Sequence, residues 1–184
     1  MTIPPKILVR RPIASGRIFH IEEADLKFSN GVERTFEYVR TRGDKAVMAI
    51  PVLDKNTILL TREYGVGFER YELGFPKGIV ESGEDICAAA NREMMEEAGF
   101  GARQLTLLKE MTAIPHYMLA KMYCVVAEDL YPARLTGDEP ELPEVIEWPL
   151  SKIDELLKRA DFSEGRCIAA LLMVRDYLKM KYGN

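Results

Sequence analysis

The stretch that most constrains this chain is Gly78–Phe100, GIVESGEDICAAANREMMEEAGF. Gly78 is followed after five residues by Glu84, after seven more by Arg92 and Glu93, and then by Glu96, Glu97 and Gly99. Good helix formers fill 84–98, no glycine or proline interrupts them, and Gly99 is a stop signal, so the segment predicts a helix from Glu84 to Gly99. Ser82 or Glu84, together with Asp85, supplies acceptors where the first N–H groups of that helix are free. At 100° per residue Glu93, Glu96 and Glu97 share one side, and Cys87, Met94, Met95 and Ala98 fall roughly opposite as the expected core face.

Three carboxylates on one side repel one another by a few tenths of a kcal/mol per pair, on the order seen for like charges at helical spacing. A solvated acidic face is one way to relieve that repulsion. A hard divalent cation is the other, because all-oxygen clusters suit Mg²⁺ or Mn²⁺. Gly78, Glu84, Arg92 and Gly99 standing in register with the three glutamates favour the metal reading.

The same positions carry a family resemblance. Gly78, Glu84, Arg92-Glu93, Glu96-Glu97 and Gly99 meet the polar and glycine positions of the Nudix box, so the segment resembles the Nudix hydrolase family. Met94 and Phe100 occupy places usually given to branched aliphatics, which bears on packing and not on chemistry. The resemblance implies an α/β (α+β) fold, the Nudix α/β/α sandwich with a mixed sheet. It also implies metal-dependent hydrolysis of a nucleoside diphosphate linked to another group. It makes Glu93, Glu96 and Glu97 the metal ligands, with the Lys77 carbonyl as a further one. Glu84 and Arg92 become a supporting pair, the planar fork of arginine matching a carboxylate; an ordinary surface ion pair is the alternative.

Residues outside the box point to a branch. Arg62-Glu63-Tyr64, Tyr71-Glu72-Leu73-Gly74-Phe75-Pro76-Lys77-Gly78, and Pro115, sixteen residues beyond Gly99, resemble the ADP-ribose pyrophosphatases. The runs Phe28–Val32, Gly137–Pro140 and Trp148–Leu150 extend that similarity over nearly the whole chain. The branch implies cleavage of ADP-ribose, NADH and diadenosine oligophosphates with AMP as the shared product. On this reading Tyr71, Phe75 and Tyr117 stack adenine near Pro115, and Arg62 and Glu72 meet phosphate, ribose or metal. Plain core packing is the commoner fate of such aromatics. The branch takes its general base from a mobile acidic loop after the box; here Glu139 and Glu141 are the candidates, before Asp138 and Glu144, and loop closure would exclude water. His116 is a further titratable group beside Pro115, with no demand from spacing. The branch also implies a homodimer.

The remaining sequence bounds the alternatives. A formal charge of −4 and a pI near 5.4 argue against a nucleic-acid or membrane-surface binder. A non-catalytic ADP-ribose or NAD sensor would not require every carboxylate present here. Nudix enzymes acting on nucleoside triphosphates or RNA caps, or isomerases, share the fold, but an RNA-directed enzyme calls for a basic groove. Cys87, Cys124 and Cys167 lie far apart, an odd and sparse set that reads as reduced thiols in a cytoplasmic protein. No targeting segment or run approaching 18 apolar residues is visible.

Along the chain, 6–13 and 17–28 read as strands, Ser29-Asn30-Gly31 as a hairpin turn and 32–40 as the return. This sets residues 1–42 apart as a small antiparallel sheet for dimerisation or substrate contact, with 43–184 as the catalytic domain. His20 reads as a structural histidine. Within the larger part, 45–53 is a buried strand, 57–64 its return, and 104–111, 121–127 and 145–148 are further strands. The proline-containing acidic segment 137–144 is a loop. Ser151 caps a predicted helix over 152–159, and 164–181 is a helix with its core stripe on Ile168, Leu171, Leu172, Val174 and Leu178.

Overall fold

The computed structural model describes residues 3–137 and 139–183, so Asp138 lies outside the described residues. The chain divides into two compact units, one formed by residues 1–45 with 112–121, the other by 46–111 with 122–184.

In the first unit, β1 (Lys6–Ser15) pairs antiparallel with β2 (Phe19–Lys27), and β2 with the opening part of β3 (Glu33–Asp54). The expected turn is present: Gly31 takes φ +83°, and the Phe28 N–H donates to the Val32 carbonyl at 2.9 Å. Polar side-chain pairs also tie the strands across this backbone ladder. Arg11 pairs with Glu23 at 2.6 Å and Asp25 at 2.8 Å, and the Tyr38 hydroxyl donates to Glu22 at 2.5 Å. Every residue of β1 is exposed, Ile7, Leu8, Val9 and Ile13 among them. Residues 112–121 belong here as well, and the Val39 N–H donates to the Tyr117 carbonyl at 2.7 Å.

The two strands expected over 32–40 and 45–53 are one strand of 22 residues. No proline or turn dipeptide separates them, and Gly43 (φ +79°) takes up the irregularity instead.

In the second unit, β3 continues into pairing with β4 (Thr57–Gly65) and with the short β6 (Lys77–Ile79). β4 is flanked by β5 (Arg70–Gly74) and β9 (Glu144–Pro149). β7 (Phe100–Thr112) pairs with β8 (Met118–Pro132), and β8 with β3. The period-2 pleat sorts the side chains of β3 and β8 between two cores. Met48, Ile50, Val52, Met122, Cys124 and Val126 point to one, with α2 (Ile153–Leu156) and α3 (Gly165–Tyr182). Val47, Ala49, Val125 and Ala127 point to the other, with α1 (Ile86–Glu97). Helices therefore cover both faces of the sheet, the three-layer arrangement the family resemblance implies. No described helix is long and apolar enough to cross a membrane.

Several local expectations are corrected. Asp85 alone caps α1, its carboxylate accepting the Cys87 and Ala88 N–H groups at 2.9 and 3.1 Å. Ala89, Ala90, Met94 and Ala98 form the buried face of α1, while Cys87 and Met95 are half-buried; small alanines let the helix lie close on Val47 and Ala49. Ser151 makes no capping bond, and the helix expected over 152–159 is a 3₁₀ turn at Leu150–Lys152 followed by the single turn α2. On α3 the buried set is Cys167, Ala170, Leu171, Val174 and Leu178; Ile168 and Leu172 are half-buried. The three cysteines are free.

Candidate active site

Helix α1 presents its acidic side to the segment that leads into it. Gly78 makes this approach possible: a Cβ there would fall on the Glu93 carboxylate. Glu93 is 7% exposed and Glu97 1%, so two of the three glutamates are buried rather than solvated. Burial pushes the Glu93 carboxyl up to about 7 against the opposing pull of Arg92. It pushes Glu97 up to about 8, the Lys77 ammonium pulling the other way and Glu63 adding to the rise. Desolvation of a carboxylate is costly unless a cation or donors replace the lost water.

Arg92 organises this side of the helix. Its Nε and Nη2 donate to the two oxygens of Glu84, both at 3.0 Å, and Nη2 also reaches the Ile79 carbonyl at 3.0 Å. Nη1 donates to Glu93 at 2.7 Å and Glu96 at 3.1 Å. Glu84 accepts in addition the Glu81 N–H at 3.0 Å, and the Arg92 guanidinium holds its carboxyl below the usual range against burial. The Glu84–Arg92 pair is thus a bidentate contact within a larger network, half-buried and tied to both halves of the motif.

The Lys77 N–H donates to Glu97 Oε1 at 3.3 Å and its ammonium pairs with Glu63 at 3.1 Å. Glu97 Oε2 is buried with no hydrogen-bond partner among the described residues. Also among the described residues, no three carboxylate, histidine or cysteine groups gather as a ready metal cage; the guanidinium of Arg92 stands against two of the three glutamates. The donor set nevertheless fits a hard divalent cation. It offers buried carboxylate oxygens, one of them unpartnered, beside a glycine that leaves their space open.

The acidic loop enters from the far end of α1. The Leu135 N–H donates to the Met95 carbonyl and Arg134 Nη1 to the Glu96 carbonyl, each at 3.2 Å. Gly99, at φ +75°, leaves room for the Arg134 guanidinium. Gly137 lies against both the Glu139 carboxylate and the Cβ of Glu96, and the charge of Glu139 reaches Glu93. Glu141 points elsewhere: it accepts the Tyr71 hydroxyl at 2.5 Å. Glu139 and Glu141 both line a cleft of about 370 Å³ with Arg134, Thr136 and Leu142. Glu144 pairs with Arg62 at 2.9 Å.

The expected substrate residues divide. Tyr71 is 46% exposed and meets Tyr64 edge-on at 5.4 Å. Phe75 is fully buried in the core with Leu73 and Met48; it has no free face for adenine, which corrects that expectation. Arg62 also pairs with Asp161 at 3.0 Å, and Glu72 accepts Arg70 at 2.5 Å and Ser163 at 3.2 Å. Pro115 and Tyr117 lie in the first unit, where both are exposed and His116 stacks obliquely on Tyr117 at 6.3 Å. Glu63, Arg134 and Gly137 complete the site in the second unit and escaped the sequence reading. Glu63 stands in the Arg62-Glu63-Tyr64 motif, but nothing local marks Arg134.

Known proteins place this arrangement. Residues 43–171 match the model of the NUDIX domain, and residues 5–37 that of the NudE-type Nudix hydrolase N-terminal domain. The chain belongs to the Nudix hydrolase family. It is 49% identical to the ADP compounds hydrolase NudE of Escherichia coli (strain K12) over 95% of this chain and 94% of that protein. The crystal structure of an ADP compounds hydrolase superposes with a TM-score of 0.91, at 47% identity, covering 99% of this chain and 98% of that one. The ADP-ribose pyrophosphatase of Bacillus subtilis (strain 168) is 26% identical over 98% of this chain and 95% of its own length.

Proposed function

We propose that this chain hydrolyses the diphosphate linkage of ADP-containing compounds (ADP-ribose, NADH and diadenosine oligophosphates), releasing AMP. Water adds across the P–O–P anhydride, so AMP leaves with one phosphate and the other fragment keeps the rest. The observation that carries this reading is the pair of buried carboxylates, Glu93 and Glu97, with the loop of Glu139 lying on the same helix. The similarity to ADP compounds hydrolases supports the substrate class.

Nudix hydrolases use divalent metal ions. Here Glu93, Glu96, Glu97 and the Lys77 carbonyl would hold Mg²⁺ or Mn²⁺, which when bound neutralises phosphate oxygens and makes a water more acidic. Arg92 and Glu84 orient the carboxylates. Glu139 takes the proton of the attacking water, because it lies on the α1 side of the loop whereas Glu141 is held by Tyr71. Tyr71, backed by Tyr64, offers the adenine a ring face. Arg62 and Glu144 tether the end of the loop.

We further assign residues 1–42 to dimerisation or substrate contact, with Pro115 and Tyr117 as substrate contacts, and 43–184 to catalysis. The exposed apolar side chains of β1 support a homodimer. Sedimentation as a monomer at micromolar concentration would count against it. Reduced, well-separated cysteines support a cytoplasmic location.

The test is product analysis with ADP-ribose, NADH, diadenosine triphosphate, a nucleoside triphosphate and capped RNA, in Mg²⁺ and then Mn²⁺. AMP from the first three, abolished by chelator, is expected. Saturable binding of ADP-ribose without turnover would replace the enzyme by a sensor, and cleavage of the triphosphate or RNA alone would remove the substrate class.

A further inference from the structure

A second cavity, of about 440 Å³, lies in the same unit but shares no residue with the site above. Its walls are the β3–β4 turn, the 3₁₀ turn with the start of α2, and the last turns of α3. Leu150, Ile153 and Leu178 give it an apolar floor, and the latter two are buried. Its volume falls within the roughly 300–1,000 Å³ typical of small-molecule sites.

Two of the walls are pinned to each other, and the 3₁₀ turn is held in place. The Leu150 N–H donates to the Asn56 carbonyl at 2.7 Å, and the Trp148 indole N–H to the Lys152 carbonyl at 3.1 Å. Tyr182 contributes an exposed ring whose hydroxyl is fixed by Glu128 at 2.9 Å. Glu128 is itself buried and accepts Tyr177 and Lys181 at 3.0 and 2.7 Å. The aromatic wall is therefore oriented before any ligand arrives.

The charge of the lining runs against that of the chain. Lys55, Arg175 and Lys179 face one carboxylate, Asp154, in a protein of formal charge −4. Arg175 pairs with its neighbour Asp176 at 2.9 Å, a carboxylate that also feels Lys179. The ammonium groups of Lys55 and Lys179 have no ion-pair or hydrogen-bond partner among the described residues. Cations lining a cavity that has an apolar floor and an oriented ring favour an anion that carries a flat apolar body.

We propose that this cavity is a second ligand site, taking a small organic dianion of the nucleoside monophosphate class. The lysines and Arg175 meet the phosphate, Tyr182 flanks the ring system, and Asn56 and Ser151 supply polar contacts at the rim.

The test is chemical-shift mapping of the full chain in the presence of chelator, with AMP, adenosine and inorganic phosphate as separate probes. AMP is expected to give saturable shifts at the backbone amides of Asn56, Ser151 and Lys179, with adenosine and phosphate at least about tenfold weaker. Lys55→Glu/Lys179→Glu, on two exposed side chains, is expected to weaken AMP there by about tenfold or more. Its hydrolysis of ADP-ribose is expected to stay within about twofold of the parent, which separates failure of this site from failure of the proposed reaction. Absence of saturable shifts at those amides, equal binding of phosphate alone, or an unaltered titration in the double variant would each overturn the proposal.

Discussion

The amide of Lys77 donates to one oxygen of Glu97 while the other oxygen, Oε2, is buried without a partner among the described residues. A carboxylate that is 1% exposed and only half satisfied is destabilising by itself, since an unpaired buried polar atom costs about 1–3 kcal/mol. Such an atom is tolerated where something else completes it, and a cation is the completion that the surrounding oxygens suit.

Glu97→Gln follows directly. On the proposed site this takes away one carboxylate ligand of the metal while keeping the shape of the side chain and the Lys77 bond. AMP release from ADP-ribose is expected to fall by about 10²-fold or more. Urea unfolding of the metal-free protein is expected to show stability unchanged or raised. Unimpaired turnover in this variant would remove Glu97 from the metal site.

Gly78→Ala separates activity from folding in another way. The added methyl group meets the Glu93 carboxylate, which is the movable end of a side chain but is held by Arg92 at 2.7 Å. Displacing it is expected to cost about 1–3 kcal/mol, the range for overpacking, and to weaken Mn²⁺ binding measured by calorimetry. Retained metal affinity would show that Glu93 is not required in its present position.

The two loop glutamates are expected to behave differently. Glu139→Gln should lower kcat by about 10²–10⁴-fold, the usual contribution of a general base. Glu141→Gln and Tyr71→Phe should each have a smaller effect. Because Tyr71→Phe removes the hydrogen bond that Glu141→Gln weakens by taking away its charge, the double variant should be no worse than the more impaired single one. Steady-state kinetics on the four variants decides it; additive losses from Glu141→Gln and Tyr71→Phe would mean that the contact does not position the loop.

Glu128 provides a pH signature remote from catalysis. Burial raises its carboxyl, but hydrogen bonds from Lys181, Tyr182 and Tyr177 outweigh that and leave it below the ordinary value of 4.5. A carboxyl lowered in the folded state stabilises the protein above its unfolded pKa, and the contribution fades as pH falls through the folded value. Glu128→Gln is therefore expected to lower stability by about 1–3 kcal/mol at neutral pH, with the gap to the parent closing under acid. Urea unfolding across that range tests it, and a gap that widens in acid would reverse the assignment.

The sequence by itself determined what is local. Arg92, Glu93, Glu96 and Glu97 lie within about two turns of one helix, so its period puts those groups on one side whatever surrounds it, and Glu84 just before the cap is near enough in the chain to meet Arg92. The apolar runs of β3 and β8 are legible for the same reason, as are the hairpin at Gly31 and the extent of α3. Tertiary structure decided which of these groups lose water. Glu93 and Glu97 are buried only because β6 brings Gly78 and Lys77 against α1, while Glu96, on the same side, stays half-exposed. Tyr71 and Phe75 are four residues apart in one motif, yet one is exposed and the other is core. Tyr71 and Glu141 meet across 70 residues, and the Arg134 contact with Glu96 spans 38. No periodicity carries such information, because burial and long-range hydrogen bonds depend on how separate elements pack, and that is settled only when the whole sheet forms.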